Sequence, residues 1–289
     1  MPPTRDRIAL PDGRSLAFCE YGDVKGNPVL YFHGLPGSRL DAKLADQTGR
    51  RLHARIIGID RPGFGLSDFQ RGRKIGHWPL DVAELADALG IDRFAVVGVS
   101  GGGPYGLACA LGIPQRLPSV GIVCGLGPLN TPGAVDRMTV ISRAGLHLAR
   151  HASWILKLVY VLIAVLMRHN PERIVAHLAA RAGHPDKAVL EQPQLRQILS
   201  ASFRESVRTG PSGVVRDLVL LSRPWGFQLQ DISMEVHLWH GERDLIVPPS
   251  SGRYQARTIP SCQATFYPNE RHFSLIVNHM EEILGSLIG

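Results

Sequence analysis

The sequence predicts an α/β protein: a parallel sheet covered by helices on both faces, with an all-helical block inserted into it. Three observations carry this. Short apolar runs without polar alternation, such as Val29–His33, Arg55–Asp60 and Val120–Cys124, read as strands buried on both faces. Helical stretches separate them, which is the pattern of parallel strands with crossover connections. Between about Asn130 and Gly226 strand signals vanish, then strand–helix alternation resumes.

Taken in order, Arg7–Leu10, the turn Pro11-Asp12-Gly13 and Ser15–Tyr21 read as a hairpin. Val29–His33 ends in His33-Gly34-Leu35-Pro36-Gly37, and a helix is expected over 40–51 with Ser38 or Asp41 near its start. Arg55–Asp60 runs into the loop Arg61-Pro62-Gly63-Phe64-Gly65-Leu66-Ser67, and Leu80–Leu89 has helical apolar spacing. Phe94–Val99 feeds directly into Gly98-Val99-Ser100-Gly101-Gly102, after which Pro104–Leu111 reads as a helix of small residues. Prolines 171, 185, 193 and 211 divide the inserted block into helices expected at 134–150, 152–168, 171–183, 193–208 and 211–222. A strand at Val236–Trp239, a helix at 252–258, a strand at 264–267 and a closing helix at 273–287 complete the chain. The division is therefore a core of 1–129 and 227–289 with a helical cap of 130–226.

With 289 residues, 44% hydrophobic and 20% charged, the chain can bury a large core and disorder is not expected. Its net charge of +7 is spread along the chain without aromatic-interleaved basic strands, so no nucleic-acid partner is expected. Cys19, Cys109, Cys124 and Cys262 form no CxxC pair, giving no metal spacing and favouring a reducing compartment. The start lacks an apolar signal core, and a cytoplasmic setting is expected. Trp154–Met167 is apolar except for Lys157, yet falls short of the roughly 20 residues that span a bilayer. It reads as an internal apolar helix, with weak membrane-surface contact through the cap as the alternative. Oligomeric state is left open.

The Gly-x-Ser-x-Gly turn between strand and helix suits a nucleophile: Ser100 sits on a sharp corner with its hydroxyl above the sheet. A serine hydroxyl needs a base, usually a histidine steadied by a carboxylate. Of 12 histidines, His272 follows the last strand and so reaches the sheet edge where Ser100 sits. Asp244, in His240-Gly241-Glu242-Arg243-Asp244, follows another parallel strand; Glu242 is its nearest rival for the acid and is expected to be solvated. The N–H groups of Gly101 and Leu35 are the expected oxyanion donors. His33 and Asp60 are expected to brace turns.

Together these segments resemble the α/β-hydrolase superfamily, in its capped, esterase-like serine-hydrolase branch. The resemblance implies eight mostly parallel strands, the Ser100–Asp244–His272 triad and an oxyanion loop, with no metal or organic cofactor. It implies an enzyme that cleaves carboxylic esters of small molecules, hydrophobic or acyl-chain esters above all. A proline-iminopeptidase-type aminopeptidase, using cap carboxylates such as Glu172, Glu191 or Glu205, and a carbon–carbon bond hydrolase share this machinery. A ligand receptor on the same scaffold is the non-enzymatic alternative. Substrate choice is expected to lie in the cap, where Trp154, Leu158 and Leu162 are expected to line an acyl pocket.

Overall fold

The computed structural model describes residues 7–131 and 133–289; most of the start that lacks an apolar signal core lies outside them. Eight strands form one sheet: β1 (Arg7–Ala9), β2 (Ser15–Gly22), β3 (Asn27–Phe32), β4 (Ala54–Ile59), β5 (Ala95–Val99), β6 (Val120–Val123), β7 (Val236–Gly241) and β8 (Cys262–Tyr267). Their order is β1-β2-β4-β3-β5-β6-β7-β8. β1 and β2 run antiparallel, as the hairpin reading requires, and every other pairing is parallel except β2 with β4. From β3 the chain passes to β4 on one side and then to β5 on the other. The carboxyl ends of β3 and β5 therefore diverge at a switch point, where open α/β sheets form their ligand crevice.

Successive side chains of each buried strand feed opposite faces. Leu30 and Phe32 join a core with Trp78, Leu85 and Tyr105, contributed by α2 (Trp78–Ala88) and α3 (Gly103–Gly112). Val29 and Tyr31 join a second core with Leu284 and Leu287 of α12 (Met280–Ile288). α11 (His272–Asn278) adds Leu275 and Ile276 to the second core, Tyr254 of α10 (Pro249–Thr258) packs against the first, and α1 (Asp46–Arg51) lies against β2 and β4.

Between β6 and β7 lie α4 (Val140–His151), α5 (Ser153–His169), α6 (Pro171–Arg181), α7 (Asp186–Leu190), α8 (Pro193–Ser206) and α9 (Ser212–Leu221), with no strand among the described residues. Met167, Val175, Leu190, Leu199 and Phe203 form their own core, onto which Phe64 of the sheet domain packs.

Four expectations need correction. The helix expected from 134 begins at Val140, because the Thr139 side chain accepts the Ser142 N–H at 3.2 Å and caps it there. The helix expected over 40–51 is a 3-10 turn, Arg39–Ala45, followed by α1. That turn presses on β4: a Cβ on Gly58 would lie 2.2 Å from the Arg39 carbonyl. The closing helix is two, α11 and α12, which meet at His279. α7 was not anticipated; it is a five-residue turn whose stability comes from tertiary contacts rather than propensity.

Candidate active site

β5 turns at once into α3 through Ser100–Gly102, and Ser100 takes φ of +54°, a left-handed conformation that costs a non-glycine residue about 1–3 kcal/mol. The corner can close only around glycines. A Cβ on Gly98 would stand 2.7 Å from the Gly102 carbonyl oxygen, and one on Gly102 would stand 2.3 Å from that of Phe32. Ser100 is 8% exposed and borders a cavity of about 680 Å³.

The loop after β3 forms the facing wall. Arg61 is fully buried and donates from Nη1 to the His33 carbonyl (2.5 Å) and from Nη2 to the Gly34 carbonyl (3.1 Å). In a planar trans peptide the N–H points opposite its carbonyl, so the Leu35 N–H is turned away from Arg61. Leu35 and Gly101 are neighbours on the cavity wall: a Cβ on Gly101 would lie 3.5 Å from Leu35 N. His33 holds the loop from within, its Nδ1 donating to the Gly34 carbonyl (2.8 Å) and its Nε2 accepting the Arg61 N–H (3.3 Å). Burial and the Arg61 charge hold its pKa well below the ordinary histidine value, as this neutral tautomer requires. Asp60 pins the next loop by accepting from Arg39 N (2.7 Å) and Leu66 N (3.1 Å). Both residues brace turns, as expected.

Asp244 and His272 meet. Asp244 is fully buried in the turn after β7; its Oδ1 accepts the N–H groups of Ile246 (2.8 Å) and Val247 (2.9 Å). Its Oδ2 accepts from His272 Nδ1 at 2.7 Å. Burial pushes the carboxyl up, but the His272 charge and hydrogen bond and these amides bring it below the ordinary value. Burial pushes the His272 imidazole down, and the Asp244 charge and hydrogen bond outweigh it, raising its pKa. His272 borders the same cavity as Ser100.

Sequence reasoning missed two acids on this wall. Asp186 of α7 accepts the N–H groups of Phe273 (2.9 Å) and Ser274 (2.8 Å), so the inserted block caps the helix that starts at His272. Asp41 is 7% exposed, its Oδ1 has no hydrogen-bond partner, and burial pushes its pKa up to about 7. Asp41 was marked in the sequence only by its place near a helix start, and Asp186 by nothing; what they face is a tertiary matter.

The cap residues expected in the pocket are elsewhere. Trp154, Leu158 and Leu162 are 69%, 62% and 74% exposed and none borders the cavity. α5 buries its other face, at Leu156, Ala164 and Met167, and apolar content gave no hint of which face turns inward. The apolar lining comes instead from Leu190, Leu195, Leu199, Phe203, Leu218 and Leu221. Glu205 is engaged by Arg39 (2.7 Å), and Glu172 and Glu191 pair with Arg204 and Lys187; none of the three borders the cavity. Cys124, Asp244 and His272 bring three ligand-type atoms within 4.8 Å of one another. They make a poor metal cage: burial raises the Cys124 thiol well above its ordinary pKa, and the carboxylate and imidazole already bind each other.

Residues 27–279 match the α/β-hydrolase fold family. An uncharacterized hydrolase of Saccharomyces cerevisiae is 33% identical over 135 residues, 45% of each chain. The 2-hydroxy-6-oxo-2,4-heptadienoate hydrolase of Pseudomonas putida is 37% identical over 98 residues, 32% of this chain and 35% of that one. These matches thus span less than half the length of either relative. Among solved structures, a thermophilic esterase from Thermogutta terrifontis superposes with a TM-score of 0.70 at 22% identity, covering 99% of this chain and 100% of its own.

Proposed function

Because the chain belongs to the α/β-hydrolase fold family, we propose that it is a serine hydrolase that cleaves carboxylic esters through an acyl-enzyme intermediate. One observation carries the reading. A serine held in a strained corner and an imidazole tied through Nδ1 to a buried carboxylate border a single cavity. Residues 1–129 and 227–289 form the catalytic core, and 130–226 the cap over it.

In this mechanism Ser100 Oγ attacks the ester carbonyl while His272 Nε2 takes its proton, and Asp244 stabilises the imidazolium. The N–H groups of Leu35 and Gly101 receive the oxyanion. His272 then gives the proton to the departing alkoxide, releasing the alcohol. Water, deprotonated by the same imidazole, attacks the acyl-serine, and the acid leaves as the Ser100 hydroxyl is restored. The leucine-rich lining favours hydrophobic acyl groups. No metal or organic cofactor enters any step. Cysteines without a disulfide among the described residues support a cytoplasmic setting.

Ser100→Ala is expected to lower hydrolysis of nitrophenyl butyrate by about 10⁴-fold or more with the fold intact by circular dichroism. Unchanged turnover would sink the proposal. The Pseudomonas putida relative favours a second reading, carbon–carbon bond hydrolysis by the same residues. A substrate panel of esters and vinylogous diketones separates the two.

A further inference from the structure

The helix pair α4–α5 has a surface that the catalytic reading does not use. Along α5, Trp154, Leu158, Leu162 and Val165 recur at helical spacing and are all more than half exposed, while Leu156, Ala164 and Met167 fill the opposite face. At the start of α4, Val140 and Ile141 are 71% and 69% exposed and border the cavity that holds Ser100. Monomeric soluble proteins seldom expose contiguous apolar faces of this kind without a partner.

Charge identifies the partner. From 137 to 171 the chain carries Arg137, Arg143, Arg150, Lys157 and Arg168 and not one aspartate or glutamate. Arg150 and His151 precede α5, and Arg168 and His169 stand in its last turn, the Arg168 guanidinium bonding the carbonyls of Val207 and Arg208. An apolar stripe bearing a tryptophan, bordered by cations and free of acids, matches the anionic headgroup region of a bilayer. No single helix among the described residues is long and apolar enough to cross a membrane; α5 and α6 are so only together, and they bend by 104° at their junction. The surface therefore suits a helix lying in the interface rather than one spanning it.

We propose that the outer face of α5 docks this protein on anionic lipid bilayers, with the apolar cavity rim at Val140 and Ile141 taking up lipophilic esters from them. Docking stands on the surface alone; the uptake of esters rests on the ester-hydrolase reading.

The test is sedimentation of the full chain with phosphatidylglycerol or phosphatidylcholine vesicles, alongside hydrolysis of water-soluble nitrophenyl acetate. Binding to phosphatidylglycerol is expected to be at least about tenfold tighter than to phosphatidylcholine. The triple variant Trp154→Ser, Leu158→Ser, Leu162→Ser is expected to lose about tenfold or more of that binding, with its hydrolysis of the soluble ester unchanged. Docking is overturned if the wild type ignores phosphatidylglycerol vesicles or the triple variant binds them as tightly. It is equally overturned if light scattering shows a dimer that the triple variant dissolves while vesicles recruit neither form. Vesicle binding without ester hydrolysis rejects the enzymatic reading and leaves docking standing; the converse rejects docking alone.

Discussion

Two groups among the inserted helices, on either side of α6 in the chain, are attached to the sheet in opposite ways. The inner group, α7 to α9, is fastened by buried polar contacts. Asp217 of α9 accepts from Arg61 (2.7 Å) and Tyr105 (2.8 Å) and pairs with Arg73. Glu205 and Ser202 of α8 hold Arg39 and Ser38, and Asp186 of α7 caps α11. The outer group, α4 and α5, turns branched side chains to solvent, and the Arg168 guanidinium of α5 bonds Val207 and Arg208 within the insertion itself. The inner helices are thus part of the site's scaffold. The outer pair rests on them; α4 still gives Val140, Ile141 and Leu146 to the cavity wall, while the outer face of α5 is left free for another task.

Substitutions should separate the two groups by size of effect. Asp217→Asn leaves two buried guanidiniums without their counter-charge and is expected to cost about 3–5 kcal/mol in urea unfolding. A cost within 0.5 kcal/mol would mean the inner group is not held by this cluster.

Asp41, between the Ser100 cavity and α8, gives a pH signature. Its carboxyl is pushed up to about 7 from the ordinary 3.8, so the folded state holds the extra proton between these values. Its contribution to stability is whole below about pH 4 and lost as pH rises through 7, a span of up to about 4 kcal/mol. Asp41→Asn, which stays neutral, should therefore gain on the wild type as urea midpoints are followed from pH 4 to 8. Parallel pH curves for the two proteins would remove the inference.

Asp186→Ala deletes the acceptor for two N–H groups of α11. It is expected to cost about 1–2 kcal/mol and to lower kcat through the displaced His272, leaving KM nearly unchanged. An effect on stability without one on kcat would confine Asp186 to a structural role. Leu162→Ser, on the outer face, is expected to shift stability by less than about 0.5 kcal/mol. A loss of 2 kcal/mol or more in thermal unfolding would show that this face is covered in the free protein.

The strands and the corner at Ser100 were legible because their signals are local. A β-branched run buried on both faces, and glycines where any Cβ would strike a carbonyl, leave little choice of structure. That Asp244 and His272 meet was legible for a related reason: each follows a parallel strand, and such loops gather at one sheet edge. The prolines marked the inserted helices, although Thr139 rather than position 134 starts the first. Trp154, Leu158 and Leu162 failed as pocket residues because an apolar helix carries no record of which face meets a neighbour.

The amino-acid order by itself determined the layered sheet, the serine corner and the residues that follow each strand, since backbone sterics and side-chain periodicity act within a few residues. Tertiary structure alone decided the acids on the cavity wall, the leucines that line it and the outward turn of α5. Those outcomes depend on desolvation and contact between segments distant in the chain, which no local pattern encodes.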